Sequence, residues 1–116
     1  MLTVEALRNY GANVEEGLTR CMGNEAFYLK LVKMVADSPA SFDALAAAME
    51  AGDTRAAFEA AHALKGAMGN VALTPIAKPA AQLSDMLKQA PDMPLGPECQ
   101  ALAREVLEQY EKLKAL

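Results

Sequence analysis

Tryptophan is absent from this 116-residue chain, and only three Phe and three Tyr occur. Strands favour aromatic side chains, so this scarcity argues against a sheet. Histidine occurs once and cysteine twice, which leaves none of the ligand spacings of a metal centre. Cys21 and Cys99 read as reduced thiols filling helix interfaces, in a chain that shows no secretion signal. Positive charge is in deficit: 11 Lys and Arg against 15 Asp and Glu leave a formal net charge of −4, with no basic stripe. Nucleic acid and an anionic membrane surface are therefore excluded as main partners. Neither the opening stretch MLTVEALRNYGANVEEG nor any later segment offers a long uncharged apolar run or a signal peptide's n-region and h-region. The cytoplasm is the expected compartment.

The 53% apolar content is dominated by Ala and Leu, which favour helix. A chain of this length makes one domain, residues 1–116, burying about two thirds of its unfolded surface. Separate catalytic and binding domains do not fit. Caps and the 3.6-residue spacing of apolar positions mark five or six helical segments. Thr3 caps a short opening helix ending near Gly11, and Asn13 caps a second through Cys21, closed by Gly23. Asn24 opens the longest segment, reaching Gly52, with Ser38-Pro39 inside it as either a kink or a fresh start; a single kinked helix is expected. Asp53 caps a helix from Thr54 to about Ala72. Thr74-Pro75 start the next, to about Gln89, with Pro79 distorting its early turns. PDMPLGP, residues 91–97, reads as a loop, and Glu98–Leu116 as a closing amphipathic helix. Short connections make neighbours antiparallel. The expected fold is all-α: an up-down antiparallel four-helix bundle, core about 24–116, with short N-terminal helical additions.

The one histidine sits in AAHALKGAMGN, residues 60–70. Ala57, Ala61, Leu64, Met68 and Val71 form the core sector of their helix, and His62 lies about 140° from its centre at 100° per residue. The imidazole therefore faces mostly outward. Lys65, Gly66 and Gly69 share its sector, with Phe58 a turn earlier. Each helical glycine costs roughly 1 kcal/mol relative to alanine, so two of them beside one imidazole point to access for another body. Close packing against a neighbouring helix is the alternative, stronger for Gly69 than for Gly66. A neutral imidazole is a good nucleophile towards phosphorus, and a phosphohistidine can pass its group on. Lys65, at i+3, can supply the cation that the transferred charge needs.

The stretch AHALKGAMGNVALT resembles the signature of histidine-containing phosphotransfer (HPt) domains: an A-H-x-L-K-G core, a small residue, a further Gly and an apolar turn. Upstream, GNEAFYLKLVKMVADSPASFDALAAAMEAGDTRAAFEAAH is similar to the long helix and Gly-Asp joint that precede the histidine helix. The likeness covers about residues 17–90. It implies that His62 accepts the phosphoryl group, that Lys65 contacts that group, that Gly66 lets a receiver domain approach, and that Gly69 is the small position beside the site. Two residues depart from the pattern. Ala72 stands where the family often has glycine, and Ser84 stands where many members have a Gln or Glu that orients the imidazole. Ser84 is shorter, leaving a water or Gln82 to substitute.

The resemblance implies a phosphorelay carrier: His62 takes a phosphoryl group from the aspartyl-phosphate of one receiver domain and gives it to an aspartate on another. The implied partners are response-regulator receiver domains and a hybrid sensor histidine kinase; a monomer is expected. No cofactor of its own is expected, and Mg²⁺ would come with the receiver's carboxylates. The chain has no P-loop or kinase nucleotide motif, so ATP-dependent kinase activity is not expected. The alternative is an interaction module that binds receivers through the same bundle without transferring anything. A third reading, an enzyme using His62 as general base, lacks an accompanying acid, nucleophile or pocket-forming loop.

Overall fold

The computed structural model describes residues 2–89 and 94–116. Seven helices and no strand occur among them: α1 (Val4–Tyr10), α2 (Val14–Arg20), α3 (Glu25–Ala36), α4 (Ala40–Ala51), α5 (Thr54–Asn70), α6 (Thr74–Gln89) and α7 (Pro97–Lys114). The caps read from the sequence do their work. Thr3, Asn13, Asn24 and Asp53 each accept, through the side chain, the N–H three residues on, satisfying a donor that has no partner within the helix.

Residues 25–51 form two helices rather than one kinked helix. Pro39 has no N–H and its ring crowds the preceding turn, so the α3 ladder cannot run through it. The Ser38 hydroxyl instead donates back to the Met34 carbonyl at 2.7 Å, and its N–H to Val35 O at 3.2 Å. α4 then starts from Pro39, whose carbonyl accepts from Asp43 N at 2.9 Å. Pro79, expected to distort α6, leaves it unbroken. It lies early in the helix, where it deletes one ladder bond, and like Ile76, Ala80 and Leu83 it is buried. Of the expected 91–97 loop, Pro91 to Met93 lie outside the described residues; Pro94 to Gly96 are irregular, and Pro97 already opens α7.

α4, α5, α6 and α7 close a ring, with α4 against α5 and α7, α5 against α6, and α6 against α7. Their interior holds Phe42, Leu45, Ala57, Leu64, Met68, Ile76, Leu83, Ala103 and Val106. Phe42 at the start of α4 stacks on Tyr110 near the end of α7, centroids 3.6 Å apart, which fixes that pair antiparallel. α1 to α3 are tied to this bundle by hydrogen bonds across long sequence separations. Tyr10 Oη donates to Gln109 O at 2.9 Å, Asn13 N to Ala72 O at 2.9 Å, and Tyr28 Oη to Val71 O at 2.8 Å. Gly17 permits the last of these, because a Cβ there would collide with the Tyr28 ring. Cys21 and Cys99 are both buried free thiols.

Candidate functional site

α5 carries the site on its middle turns. Its core side is Ala57, Ala60, Ala61, Leu64 and Met68, all buried, and its other side carries exposed His62, Lys65 and Gly66. The outward imidazole expected from the helical wheel is therefore present. Phe58, one turn earlier and half-buried, stacks on the His62 ring with centroids 5.7 Å apart and planes 21° from parallel. That contact limits the imidazole's rotation while leaving its edge in solvent. Lys65 is exposed one turn on, and among the described residues it is in no ion pair, so its charge is uncommitted.

The two glycines are bare for no internal reason. A Cβ built on either Gly66 or Gly69 meets nothing within 4 Å, so neither is needed for helix packing, including Gly69, where that alternative was stronger. Ser84 gives the imidazole no support, as its short side chain led one to expect. It sits on the buried side of α6 at 2% exposure, and no hydrogen bond joins it to His62. So buried a side chain offers no surface to a partner. Gln82 is exposed on α6 and likewise makes no bond to His62, which leaves Phe58 as the contact holding the ring.

α5 ends in a tight stop. Leu73 N bonds to Met68 O at 2.9 Å and Ala72 N to Gly69 O at 3.1 Å, with Ala72 at φ 56°. This is the Schellman arrangement, in which the left-handed position normally belongs to glycine. Ala72 thus departs from the family's residue while keeping the backbone that glycine would adopt. Arg20, from α2, donates Nη1 to the same Gly69 carbonyl at 3.3 Å and pairs Nη2 with Glu16 at 2.7 Å. The sequence alone does not single out Arg20. Glu16 and Arg20 look like an ordinary solvated i, i+4 pair, and nothing local announces a contact 49 residues away.

Among the described residues no group of three or more His, Cys, Asp or Glu is placed to hold a metal ion. No described helix is long and apolar enough to cross a membrane. An exposed imidazole on α5, backed by an aromatic ring and flanked by bare backbone and a lysine in no ion pair among the described residues, suits nucleophilic chemistry on a group presented by another body. It does not suit enclosure of a small substrate.

A family model described as the Hpt domain matches residues 31–115. No curated protein and no solved structure matches the chain. The match runs from the middle of α3 through α7, taking in the whole four-helix ring and the histidine helix. The chain therefore belongs to the Hpt-domain family, the histidine phosphotransfer modules of two-component phosphorelays, which carry phosphoryl groups and are not kinases.

Proposed function

We propose that this protein is a phosphorelay intermediate in which His62 accepts the phosphoryl group of a receiver domain's aspartyl-phosphate and passes it to the aspartate of another receiver. The observation that carries this reading is the position of the only histidine: exposed on α5, backed by Phe58, and beside the open backbone at Gly66 and Lys65, which is in no ion pair among the described residues. In the transfer, the lone-pair nitrogen of the neutral ring attacks phosphorus in line with the acyl oxygen. The N–P bond forms as the O–P bond breaks, the aspartate leaves as a carboxylate, and the ring's other N–H keeps its proton. The reverse sequence loads the second receiver. Lys65 offsets the charge of the phosphoryl oxygens, and Gly66 leaves room for the receiver's backbone to reach in-line geometry. The receiver brings its own Mg²⁺, and a hybrid sensor kinase or a response regulator supplies the receiver.

The test is His62→Gln. Incubated with a phosphorylated receiver, the variant should take up no phosphoryl group, while its melting temperature stays within about 2 °C of the parent, because surface substitutions of this kind change stability by about 0.5 kcal/mol at most. Labelling of the variant at the parent's rate would contradict the assignment. Receiver binding by a parent that never becomes labelled would leave a docking module without transfer.

A further inference from the structure

Beyond His62, the face of α5 runs into a groove of about 370 Å³ bounded by α2, α5 and α6. Three cations from three helices line it: Arg20, Lys65 and Lys78, against the single carboxylate of Glu16. Its lining includes the small residues Gly69 and Ala77. In a chain of net charge −4, this is a local excess of positive charge. Arg20 is held in place by Glu16 and by the Gly69 carbonyl, yet half of its side chain remains exposed, and only two of the guanidinium's five N–H donors are engaged. Lys65 and Lys78 are exposed, and neither is in an ion pair among the described residues.

Gly69 lies two turns beyond His62, roughly 10 Å along the axis and about 20° around it. Arg20 is therefore too far along the helix to touch a group on His62, but a body seated over His62 and Gly66 would extend across the groove. We propose that this groove is a second contact point for the docked receiver, which fills it with an acidic side chain, and that Arg20 and Lys78 thereby select among receivers. The inference rests on the carrier reading of His62. A carboxylate on a partner already held at His62 arrives at high effective concentration, whereas a free anion would have to be captured from solution by two mobile lysines and one arginine. Of the three cations, Lys65 and Lys78 lie within the matched residues 31–115, while Arg20, in α2, lies outside them.

The experiment uses the full chain with a panel of purified receiver domains, each phosphorylated with acetyl phosphate and then freed of it. Lys78→Glu is the cleaner variant, since Lys78 makes no ion pair among the described residues; Arg20→Ala is the second. Both should label His62 from phosphoramidate, a small donor that needs no docking, at the parent's rate. With the receiver that transfers fastest to the parent, Lys78→Glu should raise KM about tenfold, hold kcat within about twofold and flatten the dependence of transfer on salt. An unchanged KM overturns the proposal, and so does a loss confined to kcat. A groove that binds inorganic phosphate, with the variants losing that binding while KM is unchanged, overturns it in favour of a small-anion site. A parent that takes label from neither phosphoramidate nor any receiver defeats the carrier reading itself, which is a distinguishable result.

Discussion

At the scale of single residues, the site sets helix stability against access, and Gly66 isolates the two. Because a methyl at Gly66 meets no neighbour, Gly66→Ala should stabilise α5 by roughly 1 kcal/mol, raising the melting temperature by about 4 °C. Gly66→Gln should keep the fold but slow transfer from a phosphorylated receiver by at least about tenfold, because its side chain occupies the approach path. Normal transfer by the Gln variant would remove the docking role. Lys65→Ala should slow transfer and shorten the lifetime of the phosphorylated protein without changing the melting temperature, since it deletes a charge-assisted contact worth about 1.5–3 kcal/mol that forms as the phosphoryl group arrives and persists while it is bound. Equal rates would reduce Lys65 to a solvated helix charge. His62, Lys65 and Gly66 were legible in the sequence because helical spacing alone fixes which side of α5 they occupy. Ser84 falls on the buried side of α6 with Ala80 and Leu87, and its short side chain already put its support of His62 in doubt at the level of the sequence.

At the scale of elements, caps were legible and continuity was not. Four side-chain caps act as read, since each is a local event within four residues. Two prolines set continuity differently. Pro39 divides α3 from α4 because the α3 ladder would have to run through it, whereas Pro79, early in α6, costs one ladder bond and leaves that helix whole. The end of α5 shows the same competition. Ala72 holds φ 56° while its side chain is 4% exposed. Glycine there would relieve about 1–2 kcal/mol of left-handed strain. It would also lose a buried methyl worth about 0.8 kcal/mol and add about 0.4–1 kcal/mol of chain entropy in the unfolded state. These terms nearly cancel, so Ala72→Gly should change stability by less than about 1 kcal/mol in a denaturant titration. A loss above 2 kcal/mol would show that packing of the methyl dominates. The cross-helix contacts of Arg20 and Gly17 have no local signature, since each joins segments that the sequence presents as separate.

At the scale of the whole molecule, all three tyrosines of the chain donate a hydroxyl to a backbone carbonyl of a different helix or its cap: Tyr10 to Gln109, Tyr28 to Val71 and Tyr110 to Ala36. Each must stay protonated to do so, and burial raises each above the ordinary tyrosine value of 10.0. A group whose folded value is raised stabilises fully below the unfolded value and loses that contribution as pH climbs through the folded one. Stability should therefore be insensitive to these groups at neutral pH and fall above about pH 10, where the unfolded chain ionises first. A melting temperature that stays flat from pH 9 to 11.5 would contradict this account of how α1 to α3 are fastened. The fastening matters for function because it holds α2 beside the histidine helix. The central claim concerns the histidine itself, and the most direct measurement of it is the chemistry of the label. After incubation with a receiver carrying radiolabelled aspartyl-phosphate, the protein should hold one phosphoryl group that survives alkali, is released by acid and maps to the peptide containing His62. Label that is stable to acid, or that maps elsewhere in the chain, would contradict it.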